Sequence, residues 1–319
     1  MNRQYPISDE ISIEDFPENS INYFWLNLTY DGLGQPVQLP IMLARGKHSG
    51  KTIGLTAAVH GNELNGISVI QRVFNGLDTS KLSGNIIGIP VVNIPAFEAG
   101  VRFFTDGADI NRIMPGRLGG NVSEVYAHLF IEKALKKFDY LLDLHTASFG
   151  RVNSFYIRSN LSKDLTKKLT ELQHAEIVVH TPPSDGTLRG VAEDLGIPSI
   201  TIEVGNPNTF QRKIIKSGLE GIHNVLSYLE FYPYEIVENK DETIVCKKSY
   251  WLYTDMGGLL TVHVELVDKV EKGTHIATLK NVFGNIIKKY YASEKGVVIG
   301  KSISPVNHTG GRIIHLGVE

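Results

Sequence analysis

Between about residues 21 and 227 the chain alternates short, nearly unbroken apolar runs with longer stretches whose apolar positions recur at helical spacing. The runs IGLTAAV (53–59), YLLDL (140–144) and SITIEV (199–204) are rich in aliphatic residues. They lack the strict apolar–polar alternation of a strand with one wet face, so they read as central strands covered on both sides. Helical stretches between such strands predict an α/β architecture, a mostly parallel mixed sheet flanked by helices. Strands are expected over 21–30, 37–44, 52–59, 85–92, 139–144, 154–158, 176–180 and 199–204. Helices are expected over 63–77, 124–138, 163–173, 188–195 and 211–230, with Ser123 and Ser162 as N-caps.

Beyond about residue 239 helical periodicity stops, and short strands punctuated by glycine run almost to the end. The expectation is an α/β domain over 1–240 and a small all-β domain over 241–319, in keeping with the length of 319 residues. The stretch MGGLLTVHVELVDKVEKGTHIATLKNVFGN resembles the barrel-sandwich hybrid of biotinyl and lipoyl carrier domains, with glycines closing tight turns. The modified lysine of such carriers sits between Met-like neighbours. Lys280, in TLKNVFG, lacks them, which favours a lid or oligomer-forming module over cofactor carriage. Strand edges that need covering make a homo-oligomer plausible.

Composition removes several function classes. With 32 basic and 34 acidic residues the formal charge is −2, which gives no field for gathering polyanions, so nucleic acid is not an expected partner. Cys246 is the only cysteine, so there is neither a disulfide framework nor a cysteine cluster for zinc; any metal must sit on histidines and carboxylates. A reducing, cytoplasmic setting is expected. No basic start followed by an apolar run, and no apolar stretch of roughly 18 residues, points to a signal peptide or a membrane span.

The chemistry-bearing residues fall at strand ends. His60 and Glu63, in AAVHGNELNG, follow a predicted buried strand, and His145 follows DYLLDL in the same way. Ligands of open α/β sheets bind beyond the carboxyl ends of strands. Two imidazoles and a carboxylate match the His2Glu set of catalytic zinc sites, which leave a fourth position open. Asp143, two residues before His145 and on the same strand face, is placed either to orient a histidine ring or to be satisfied as an ordinary buried acid. Between the ligands runs RFFTDGADINRIMPGR, whose Gly, Pro and Asp content argues against any regular element and which carries Arg102, Asn111 and Arg112. An Asn–Arg pair suits a carboxylate, and a separate arginine suits a polarised carbonyl. Glu203 ends SITIEV just before a glycine turn, where a carboxylate serves as general base and acid or as a loop cap.

In this order HGNE, DINRIMPG, DLHT and TIEVGNP resemble the succinylglutamate desuccinylase and aspartoacylase family, which is related to the zinc carboxypeptidases. The resemblance covers roughly residues 50–230, and the later β module is similar to that of larger bacterial members. It implies one zinc ion per chain on His60, Glu63 and His145, with Glu203 as the catalytic carboxylate and Asn111 with Arg112 holding a substrate carboxylate. Arg102 would stabilise the oxyanion, as the only arginine in the right region upstream of the Asn–Arg pair. A tyrosine contributed late in the chain by some members has no clear counterpart; Tyr156 is one candidate. The implied activity is hydrolysis of the amide of a small N-acyl amino acid. The rivals are a metallocarboxypeptidase and a noncatalytic carrier or binding protein.

Overall fold

The computed structural model describes residues 5–182, 186–239 and 242–319. In chain order the strands are β1 (Ile7–Ser8), β2 (Ser20–Tyr30), β3 (Pro36–Arg45), β4 (His48–Ala57), β5 (Ser83–Ile89), β6 (Tyr140–His145), β7 (Arg151–Asn153), β8 (Phe155–Ser159), β9 (Ile177–His180), β10 (Ser199–Val204) and β11 (Ile244–Cys246). All except β7 join one ten-stranded sheet, ordered β1-β2-β3-β5-β4-β6-β10-β8-β9-β11. Only β2–β3, β3–β5 and β10–β8 pair antiparallel, so the sheet is mixed and mostly parallel. Among the described residues six α-helices accompany it: α1 (Asn65–Asn75), α2 (Ile94–Ala99), α3 (Val122–Lys133), α4 (Asp164–Glu171), α5 (Leu188–Asp194) and α6 (Arg212–Tyr228).

Side chains alternate along each central strand, and this decides where the polar residues go. Leu142 and Leu144 of β6, Ile200, Ile202 and Val204 of β10, and Phe155 and Ile157 of β8 bury themselves with apolar residues of α1, α4 and α6. The intervening residues Asp143, His145, Thr201, Glu203, Tyr156 and Arg158 therefore belong to the opposite face.

That face is covered in two patches. Toward β2, β3 and β5, residues of α3 and α5 such as Tyr126, Phe130, Leu188 and Val191 form a second apolar cluster. The other patch comes from the C-terminal strands β12 (Lys248–Tyr253), β13 (Gly258–Val262), β14 (Lys269–Val270), β15 (His275–Lys280), β16 (Ile286–Tyr291), β17 (Gly296–Ser302), β18 (Val306–Asn307) and β19 (Arg312–Val318). They make two small sheets, β12-β19-β17-β14 and β16-β15-β13-β18, with β7 pairing onto β17. Val297 and Ile299 of β17 pack on Tyr156, Ile177, Val179 and Cys246. The polar middle of the sheet lies between these two coverings.

Several local expectations change. Helix α1 starts at Asn65 rather than at residue 63, because residues 61–64 are spent on a turn. Asn121, not Ser123, caps α3: its side chain accepts from Glu124 N–H while Glu124 reaches back to Asn121 N–H. Ser123 instead bonds Asp106. Lys163 occupies the cap position of α4, and Ser162 bonds Asn160. Helix α2, capped by Asn93, is too short to leave a helical period in the sequence. The segment 110–112, read as irregular, is one turn of 3-10 helix capped by Asp109.

Cys246 is buried at the junction of the large sheet and the C-terminal strands, where its sulfur fills the space beside Gly317. Burial pushes its thiol up to about 11, and Glu319 adds to the effect. At pH 8 roughly one such thiol in a thousand is ionised, and only the thiolate reacts. The folded chain is expected to resist a disulfide reagent at pH 8 and to release one equivalent of thiol on denaturation, measured by absorbance with and without guanidinium.

Candidate metal centre and cleft

The turn after β4 is held very close to α2. A Cβ at Gly61 would lie 2.0 Å from the Ala96 carbonyl carbon, so only glycine lets residues 60–63 pass there. Buried Asn65 then ties the start of α1 to the end of β10: its Nδ2 donates to Val204 O at 2.7 Å and its Oδ1 accepts from Gln211 N–H at 2.9 Å. The His60–Glu63 turn and the strand that ends at Glu203 are thus fastened to each other. His145 and Glu203 are register partners on adjacent parallel strands.

Carboxylates fix both imidazoles. His60 Nε2 is 3.1 Å from Asp109 Oδ1, and His145 Nε2 is 2.7 Å from Asp143 Oδ2, whose other oxygen accepts from Thr56 Oγ1 at 2.6 Å. An ionised carboxylate only accepts, so each ring carries its proton on Nε2 and turns the Nδ1 lone pair inward. Both Nδ1 atoms face one buried carboxylate: His60 Nδ1 is 2.8 Å from Glu63 Oε1 and His145 Nδ1 is 3.0 Å from Oε2. Despite that proximity His60 Nδ1, itself buried, makes no hydrogen bond among the described residues. Lone pairs converging on carboxylate oxygens repel unless a cation lies among them. The donor atoms of His60, Glu63 and His145 all lie within 4.8 Å of one another, so these residues fit a divalent metal with an open coordination position.

The electrostatics agree. Burial opposes the charge on His145, but Asp143 and Glu63 outweigh it and raise its pKa well above the ordinary value, so without a cation a proton takes the ion's place. Burial likewise opposes the charge on Glu63, yet His60 and His145 hold its carboxyl well below the usual range. Asp109 is also held low against burial, by His60 and then Arg102.

Arg102 reaches this centre from the loop. Its Nε and Nη2 donate to Asp109 Oδ2 at 3.2 and 2.8 Å, while Nη1 donates to Glu63 Oε1 at 3.1 Å and contacts Ser148 Oγ. Asn111 Oδ1 accepts from Leu188 N–H at 2.7 Å, which leaves its amide nitrogen to the cleft. Exposed Arg112 bonds Asn111 O through Nη1 at 2.7 Å. Glu203 accepts from Asn153 Nδ2 at 3.3 Å and lies 3.8 Å from Arg158 Nε. Burial raises its pKa above the ordinary value, with His145 and Arg158 pulling the other way. Tyr156 stands beside Glu203 in the sheet and accepts from Arg158 at 3.0 Å; burial raises the pKa of its phenol.

His60, Glu63, His145, Arg102, Asn111, Arg112 and Glu203 all line one cleft of about 340 Å³. The sequence reading did not select Arg158, Arg189, Trp251 and Arg312, which line it too. Arg158 left a signal, since it shares the strand face of Tyr156 by the period of two. Arg189 is buried at the start of α5 and donates to Thr181 O and Pro182 O; nothing in its surroundings in sequence marks it. Trp251 and Arg312 come from β12 and β19, whose register against the α/β sheet has no sequence signature.

Residues 49–229 match the family described as the succinylglutamate desuccinylase/aspartoacylase catalytic domain. The N-alpha-acetyl-L-2,4-diaminobutyric acid deacetylase of Halomonas elongata is 25% identical over 317 residues, spanning 94% of this chain and 91% of that protein. Among solved structures, the product-bound ectoine utilization protein EutE (DoeB) of Ruegeria pomeroyi superposes with a TM-score of 0.86 at 22% identity, covering 95% of this chain and 97% of that one. A succinylglutamate desuccinylase/aspartoacylase of Rhodobacter sphaeroides gives 0.85 at 22% identity over 97% and 99%. These likenesses concern the fold.

Replacing Asp143 by Asn keeps its shape but removes the charge that fixes the His145 ring. Asp143→Asn is expected to lower metal affinity roughly 10- to 100-fold, measured by competition with a chromogenic chelator, with the circular dichroism spectrum unchanged.

Proposed function

This chain belongs to the succinylglutamate desuccinylase/aspartoacylase family, and on that premise we propose that it is a zinc-dependent deacylase hydrolysing the amide of a small N-acyl amino acid. The observation that carries the reading is the convergence of two carboxylate-fixed imidazoles on Glu63 beside the half-buried base candidate Glu203. A deacetylase of an N-acetyl amino acid among the relatives supports the substrate class. The cleft, walled on one side by the C-terminal strands, favours a small substrate over a peptide.

In this reading His60 and His145 hold the ion through Nδ1 and Glu63 through its carboxylate. When bound, zinc supplies Lewis acidity that polarises the amide carbonyl and acidifies water beside it. Glu203 takes the proton of the attacking water and returns it to the departing nitrogen, which becomes the free amine. Its burial suits the first duty, because a raised pKa makes the carboxylate a better base toward the water proton. Arg102, aligned by Asp109, faces the charge that develops on the carbonyl oxygen. Asn111 and Arg112 hold the carboxylate of the amino-acid portion and so set the amide across Glu203.

The test is metal analysis together with a hydrolysis screen over N-acetyl, N-succinyl and longer N-acyl amino acids against short peptides. One zinc per chain, and turnover of the N-acyl compounds that stops on chelation and returns with zinc, is expected; faster cleavage of peptides would transfer the chain to the carboxypeptidases. Glu203→Gln is expected to retain its metal and lose roughly 10²- to 10⁴-fold in kcat. A base acts when ionised, so activity is present above the Glu203 pKa and falls as pH drops through it. The acid limb of kcat/KM should accordingly lie above the ordinary glutamate value of about 4.3, checked by a pH–rate profile.

A further inference from the structure

The α/β sheet does not build its cleft alone. Strands β12 and β19 of the C-terminal module bring Trp251, Arg312 and His315 into the lining. Trp251 and His315 stack, ring centroids 5.1 Å apart and planes 10° apart. The guanidinium carbons of Arg312 and Arg151 lie 5.2 and 5.6 Å from the centroid of the Trp251 ring. Cation–π contacts of this kind restrict a long side chain to one direction. His315 adds no charge of its own: burial, then Arg158 and Arg312, hold its pKa well below the ordinary value.

The direction matters because Arg312 stands among like charges. Burial disfavours its charge, and Arg102 and Arg112 disfavour it further. Arg102 is compensated by Asp109 and Glu63. Among the described residues no carboxylate forms an ion pair with Arg112, whose guanidinium bonds a backbone carbonyl, or with Arg312. Two elements from different modules thus bring to the cleft two guanidiniums that have no carboxylate partner among the described residues. Mutual repulsion of this kind is relieved by an anion between them, and the planar fork of arginine matches a carboxylate.

We propose that Arg312, presented on Trp251 by the C-terminal module, is a specificity-determining residue that grips the substrate's carboxylate jointly with Arg112. The β module is then part of the binding site, and a ligand seals the cleft by bridging both modules. This rests on the hydrolase reading for the identity of the ligand, but the charge arrangement stands without it.

Binding and turnover are measured separately on the full-length chain. Trp25 and Trp251 are the only tryptophans, so in a Trp25→Phe background emission reports Trp251 alone. N-acetyl-L-alanine is titrated against N-acetyl-L-alaninamide, which has the same shape without the carboxylate. The acid is expected to change the Trp251 emission and to bind more tightly than the amide. Arg312→Gln should weaken the acid roughly 10- to 100-fold, the loss of a charge-assisted pair, and leave the amide unaffected. Arg312→Lys should recover part of the affinity, and in turnover the loss should be in KM rather than kcat. Equal binding of acid and amide by the parent chain, an unchanged affinity in Arg312→Gln, or equal weakening of both ligands would overturn the assignment. If no N-acyl amino acid is hydrolysed while the titration behaves as expected, the hydrolase reading fails and the anion grip survives.

Discussion

The middle strands of the large sheet cannot satisfy both of their faces in the same way. One face of β6, β10 and β8 carries aliphatic and aromatic groups, joined by Ser159, which bonds the Thr166 carbonyl of α4, and is closed by α1, α4 and α6. The other carries Asp143, His145, Thr201, Glu203, Tyr156 and Arg158, which bury poorly without partners. Helices α3 and α5 cover one end of that face and β17 the other. The strip between them stays open because nothing apolar is left there to pack against. The cleft is a consequence of the period-two alternation rather than an addition to it.

The polar strip is stable only as a connected set. Asp143, His145, Glu63, His60, Asp109 and Arg102 form a continuous chain of contacts in which acidic and basic groups alternate, closing back from Arg102 onto Glu63. Thr56, Thr146 N–H and Ser148 fill remaining acceptor positions on Asp143 and Glu63. Removing one member from such a set leaves a neighbour both buried and unpaired, which costs more than the lost contact itself. The same chain orients the rings, so the arrangement that tolerates burial is also the one that leaves both Nδ1 lone pairs converging.

Much of this was legible in the residues because central parallel strands announce themselves as unbroken apolar runs, and a charged residue at the end of such a run stands out. His60, Glu63, His145 and Glu203 stand out in that way, and the structure brings them together with Arg102, Asn111 and Arg112 around one cleft. What stayed hidden depends on distances that no local pattern encodes. Asp109 was visible as a turn residue, but its grip on both His60 and Arg102 needs the loop to fold back on the strand ends. Asn65, two residues beyond Glu63, reads as an ordinary polar helix position until α6 is set against it. The cap of α3 moved for a simpler reason: Asn121 and Ser123 stand two residues apart at the start of the helix, and the side chain that reaches the N3 amide is decided by the entry angle of the chain.

The pairing of β7 with β17 joins segments nearly half of these 319 residues apart, and β19, which completes that small sheet, lies further along the chain still. On the ribosome every residue of the metal centre has emerged while the opposing wall is still unsynthesised, and β7 waits with an open edge. Long-range pairings of this kind form slowly. Synthesis of β12 through β19, rather than of the metal centre, is what gives the nascent protein a closed binding surface, and a chain stalled between β10 and β12 would carry the metal centre without the wall that faces it.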